Sequence, residues 1–129
     1  MNIFEPKVSF ETAKLLKQIG FNVDCRVWYD KDGQDHFLSG PIDWNSERNN
    51  CFSCPTLSTV QQWLRELKKI NIAIDCRYGN WSYIIEDCSE VKEGWRCVNG
   101  KMLAIDAGFS SYNEALETGI QIALNIFKK

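Results

Sequence analysis

The sequence predicts an α+β fold, with about three helices packed on one face of a mostly antiparallel β-sheet. Three observations carry this. Residues 55–74, PTLSTVQQWLRELKKINIAI, change from helical to alternating periodicity within a single run. Other alternating runs are separated by short turn signals, Asp30-Lys31-Asp32-Gly33, Gly79-Asn80 and Asn99-Gly100, of the kind that join hairpin strands. Helical apolar patterns stand at both ends of the chain. The 129 residues suit one domain, residues 1–129, with room for a hydrophobic core.

The first helix is expected over residues 9–20. Ser9 is placed to cap it. Ala13, Leu16 and Ile19 share a face, with Leu15 at its edge, and Gly20 can end the helix in the left-handed region without a Cβ penalty. Residues 21–29 follow as a strand, Val23, Cys25, Val27 and Tyr29 alternating with Asp24, Arg26 and Trp28. The turn at residues 30–33 sends residues 34–38 back as a hairpin partner. Residues 39–54 are the least regular stretch. Gly40-Pro41 and the polar run from Asn45 to Asn50 mark a loop. It is long for a structureless connection, which makes it a place to look for function.

In the central helix Thr56 is the expected N-cap, its hydroxyl accepting from a backbone N–H near Thr59. Leu57, Val60, Leu64 and Leu67 share one face, which Trp63 widens. Gln61, Gln62, Arg65, Glu66, Lys68 and Lys69 fall on the other side. Lys68 and Lys69 suit the helix dipole in the last turn, and Asn71 is expected in the left-handed position beyond it. Ile72, Ile74 and Cys76 then alternate with Ala73, Asp75 and Arg77. After a turn at Gly79-Asn80, residues Trp81, Tyr83 and Ile85 alternate with Ser82, Ile84 and Glu86, which suggests an antiparallel partner. Residues 87–93 read as a loop. Residues 95–98 and 101–105 flank Asn99-Gly100, the strongest two-residue hairpin signal in the chain. The last helix spans residues 112–127. Ser111 and Glu114 have capping-box spacing, and Tyr112, Ala115, Leu116, Gly119, Ile120, Ala123, Ile126 and Phe127 form its apolar face. Gly119 costs about 1 kcal/mol of helix propensity, which a close approach to the sheet would explain.

Composition bounds the function. Apolar residues make up 44% and charged residues 25%, and the net charge is −2. That balance argues against a general nucleic-acid or membrane-surface binder, which would be basic. No stretch nears the roughly 18 apolar residues of a membrane span, and MNIFEPKVSF lacks the form of a secretion signal. The cytoplasm is the expected compartment, where Cys25, Cys51, Cys54, Cys76, Cys88 and Cys97 should be largely free thiols.

Three stretches carry a family resemblance: VSFETAKLLKQIGF, PTLSTVQQWLRELKKINIAI and SYNEALETGIQIALNIF, together with Trp44-Asn45. They resemble small, uncharacterised proteins of Bacteroides-type gut bacteria and of their phages and mobile elements. The resemblance implies no activity, ligand or catalytic residue. Two further similarities are topological. From Thr56 onward, helix, strands and helix follow in the order of double-stranded-RNA-binding domains. Those domains set lysines at the start of the last helix, where this chain has Ser110, Ser111, Tyr112, Asn113 and Glu114. SYNEALETGIQIAL is also similar to the closing helix of HicB-type antitoxins, which implies a toxin or dimer partner.

The chemistry-bearing residues give no signature. Cys51-x-x-Cys54 is the only metal-like spacing, and a structural zinc needs four ligands. Cys76, Cys88, Cys97 and His36 stand at no diagnostic distance, so incidental free cysteines are the favoured reading. A thioredoxin-like role would want a strand leading into the motif. His36, the single histidine, has Asp35 and Ser39 nearby but no triad pattern. Asp30, Asp32 and Asp35 around Gly33 lack the terminal Glu of a calcium loop. Phosphate-loop motifs are missing. The candidate binding residues are Trp44, in the irregular loop, with Arg65, Lys68 and Lys69 on the helix; a tryptophan pinned on the domain is the plainer alternative for Trp44. The expectation is therefore a binding rather than catalytic protein without cofactor, its partner another protein or a second copy, with nucleic acid as the alternative.

Overall fold

The computed structural model describes residues 5–47, 50–89 and 101–128. The class is α+β, and the described residues form four helices and two antiparallel three-stranded sheets. This partition is finer than the expected three helices on one sheet. The chain falls into two compact units, Met1–Thr56 with Leu124–Lys129, and Leu57–Ala123.

The first unit begins with α1, Phe10–Gln18, capped by Ser9, whose hydroxyl accepts from the Thr12 N–H at 3.3 Å. Gly20 closes it, as its place in the sequence predicts. Gly20 is left-handed at φ 89°, its N–H donates to Lys17 O, and the Phe21 N–H donates to Leu16 O at 3.0 Å. These two bonds form a Schellman closure. Phe21 is thereby committed to the helix end and fully buried, so strand β1 starts later than expected, at Cys25–Tyr29. Its hairpin partner β2, Asp35–Ile42, runs further than expected. Val27 pairs with Phe37 and Cys25 with Ile42, so residues 38–41 bulge out opposite Arg26.

The stretch read as a loop is thus largely structured. It supplies the end of β2, the short helix α2, Trp44–Glu47, and strand β3, Phe52–Ser53, which completes the order β2-β1-β3. Phe10 of α1 makes edge-to-face contacts with Tyr29 and Phe52, each at 5.5 Å between centroids. Trp44 of α2 lies on Trp28, so the two helices hold opposite faces of this sheet.

The second unit runs α3, Leu57–Leu67, then β4, Ile70–Arg77, β5, Asn80–Asp87, β6, Lys101–Phe109, and α4, Tyr112–Phe127, which belongs to this unit through Ala123. Leu57, Val60, Trp63 and Leu64 are buried as their spacing implies, but Leu67 is 63% exposed. The left-handed residue after α3 is Lys69, at φ 58°, rather than Asn71. Ile70 already pairs with Asp87, so the reversal has to be finished before Asn71. The β4–β5 turn also lies one residue earlier than expected. Tyr78 and Gly79 have φ 54° and 81°, the two positive angles that a tight hairpin turn requires, and Arg77 pairs with Asn80.

Strand β6 extends past Ile105 to Phe109, with bulges at Leu103 and Gly108. Ser111 caps α4, accepting from the Glu114 N–H at 3.1 Å, and the Glu114 carboxylate accepts from the Ser110 N–H and hydroxyl. Gly119 explains its own presence. A Cβ there would lie 3.2 Å from Ile72 Cγ2 and from Tyr83 Cγ, so α4 lies against the β4–β5 face at close range. Trp95, Cys97 and the Asn99-Gly100 hairpin signal fall outside the described residues.

Candidate functional site

Trp44 is 5% exposed. Its indole N–H donates to Cys25 O at 2.8 Å, and its ring stacks on Trp28 at 4.8 Å. The neighbouring Asn45 works with it. Its amide donates to Phe21 O at 3.0 Å, and its carbonyl oxygen accepts from the Ser53 N–H at 3.0 Å. The Trp-Asn pair therefore ties β1, β3 and the end of α1 together. Its ring is not presented as a binding surface.

Arg65, Lys68 and Lys69 belong to the second unit, Trp44 to the first. Arg65 lies 3.7 Å from Glu66, Lys68 stands over the Trp63 ring at 5.4 Å, and Lys69 donates to Glu66 O at 3.1 Å. Lys69 thus serves the carbonyl end of its own helix.

Cys51 and Cys54 are both buried and flank the two-residue strand β3. Among the described residues no group of three or more His, Cys, Asp or Glu is arranged to hold a metal. Burial, with the Cys54 thiol adding to it, pushes the Cys25 thiol up to about 12. It is protonated and unreactive at neutral pH.

His36 pairs with Asp30, 2.8 Å away, rather than with Asp35 or Ser39. It also stacks on Trp28 at 4.3 Å, extending the Trp28–Trp44 stack. Asp30 accepts from the N–H groups of Asp32 and Gln34 at 2.9 and 3.0 Å, which makes it the builder of the turn. His36 first, then the backbone N–H of Gln34, holds the Asp30 carboxyl below its usual value. Asp35 is paired with Lys7 at 3.1 Å. These groups organise a hairpin.

The surface that sequence reasoning did not single out lies on the second sheet. Tyr83 and Ile85 of β5 are buried toward α4. On the opposite face Ala73, Ile84 and Ile105 pair in register across all three strands, and Glu86 pairs with Met102 next to them. Ile105 is 60% and Met102 56% exposed. The alternation of β4 and β5 was readable, but β6 continues beyond Ile105 and carries a bulge, which hides its faces from a period-two reading. A smaller exposed apolar pair, Phe37 and Leu38, stands at the β2 bulge of the first unit.

No family model, curated protein or solved structure matches this chain. Among the described residues no helix is long and apolar enough to cross a membrane.

Proposed function

We propose that the chain acts by binding rather than catalysis, as a small cytoplasmic interaction module accessory to a phage or other mobile element, engaging a protein partner or a second copy of itself. The observation that carries this reading is the apolar strip Ala73, Ile84, Ile105 and Met102 on the outer face of the β4–β5–β6 sheet, with Met102 and Ile105 exposed on the same strand. Large apolar side chains gathered on a sheet face mark a contact surface better than single exposed ones do. The buried, protonated Cys25 and the hairpin role of Asp30 and His36 leave these groups with structural work.

The test compares the wild-type chain with Ile105→Glu, both checked for fold by circular dichroism. Self-association, or a stoichiometric partner in pull-downs, is expected for the wild type and should be lost in the variant. A wild type that is monomeric and retains nothing beyond what Ile105→Glu retains would overturn the reading. Recurrent genomic placement beside phage or transfer genes tests the mobile-element part.

A second reading, nucleic-acid binding, is favoured by the order α3, β4, β5, β6, α4. Against it, Ser110 and Ser111 lead into α4 and Glu114 stands in its first turn, held ionised by its bonds to Ser110, which repels phosphate. Salt-sensitive retention on double-stranded RNA would favour this second reading, and its absence would remove it.

A further inference from the structure

We infer that strand β6 pairs antiparallel with β6 of a second copy, with Lys101 opposite Asp106 and Met102 opposite Ile105 about a two-fold axis between Leu103 and Ala104. This rests on the interaction role proposed for the outer face of the same sheet and names its partner.

Among the described residues β6 is an edge, pairing only with β5, so alternate amide and carbonyl groups point away from that partner. At the other edge, Gln61 of α3 reaches over to donate to Ile72 O of β4 at 2.8 Å. On β6 the Asp106 carboxylate takes the Ala107 N–H at 2.8 Å. Residues 101–105 lie outside that local bond.

A two-fold interface requires each contact to be returned: if one residue meets a second, the second must meet the first. Opposed residues must also share a face of the sheet. Lys101 pairs with Asp87 and Asp106 with Tyr83, both on the face turned to α4; Met102 pairs with Glu86 and Ile105 with Ile84, both on the outer face. Residues an odd number apart on a regular strand leave from opposite faces. Lys101 and Asp106, like Met102 and Ile105, are an odd number apart. They share faces because the bulge between the Ile85 and Glu86 pairings inserts Leu103.

The bulge therefore makes the strand complementary to itself. One register places two opposite-charge pairs on one face and two pairs of exposed apolar side chains on the other. A register centred on Asp106 would set like charges together. One centred on Ile105 would leave Lys101 opposite Phe109.

The test is a concentration series by sedimentation velocity, with thermal unfolding confirming that each variant is folded. The wild type is expected to dimerise. Lys101→Asp and Asp106→Lys should each weaken the dimer by about tenfold or more, because each puts like charges opposite one another twice. The double variant should restore it, and mixing the two single variants should give a heterodimer. A dimer indifferent to these exchanges would overturn the register. A monomeric wild type whose partner binding is still lost in Ile105→Glu would overturn the self-pairing and leave the interaction reading standing. A monomer whose Met102 and Ile105 amides resist hydrogen exchange would also overturn it, since the edge would be covered within the chain.

Discussion

The Trp44 indole N–H reaches the Cys25 carbonyl oxygen at 2.8 Å, across nineteen residues of sequence. Cys25 opens β1, at the point where β2 returns to it through Ile42. The bond therefore fixes the strand where its pairing resumes after the bulge.

Trp44→Phe keeps a ring for the stack on Trp28 but leaves the Cys25 carbonyl without that donor. It should lower stability by about 1–2 kcal/mol. Trp44→Ala, which also empties the space, should cost about 3–5 kcal/mol. Urea denaturation followed by tryptophan fluorescence and by circular dichroism checks both. Unchanged midpoints would show that the clamp is dispensable.

Gly119→Val should destabilise by about 1–3 kcal/mol, because the Cβ position already lies within 3.2 Å of Ile72 and Tyr83. Gly119→Ala should yield less than the gain of about 1 kcal/mol expected at an open helical site. Thermal unfolding of the two variants measures the tolerance of this approach directly. A full alanine gain would mean that the sheet face yields freely.

Tyr78 is fully exposed at φ 54°. An L-residue with a Cβ is strained there, and asparagine is the better choice in this turn. Tyr78→Asn should therefore raise stability by about 1 kcal/mol, seen as a higher melting temperature. A loss on substitution would mean that the ring contributes to the folded state despite its exposure.

Acid should act on the hairpin and on the start of α4. Asp30 is held below its ordinary value by His36 first and then by the Gln34 N–H, Asp35 by Lys7, and Glu114 by Ser110. A carboxylate depressed in the folded state adds stability that is present above its unfolded value and is lost as pH falls through the folded one. The loss from these three groups should begin as pH drops below about 4.5 and grow through the range beneath it. Denaturation midpoints against pH, for the wild type and Asp30→Asn, test this. The variant should show a shallower acid limb, and an identical limb would remove Asp30 from the account.

Much of the local structure was legible. Ser9 and Ser111 cap because a short hydroxyl next to a helix start has a free N–H within reach, and that depends on neighbours in sequence alone. The α3 stripe and the Tyr83–Ile85 alternation follow from helix and strand geometry. The candidate site was less legible. Residue type alone groups Trp44, Arg65, Lys68 and Lys69, and what each touches depends on residues distant in the chain or on the helix end beside it.

The sequence by itself determined the α+β class, the starts of α1 and α4 and the closing glycine at residue 20, because these rest on periodicity and on backbone sterics, whereas the need for a small residue at 119 comes from Ile72 and Tyr83 across the helix–sheet contact. Tertiary structure alone decided that residues 39–54 fold into strand, helix and strand around Trp44 and Asn45. It also decided that the strands divide into two sheets, and that Met102 and Ile105 come to share an exposed face. The reason is physical: pairing partners and bulges are set by long-range register, and a single inserted residue such as Leu103 reverses which face the side chains take from there to the next bulge, at Gly108.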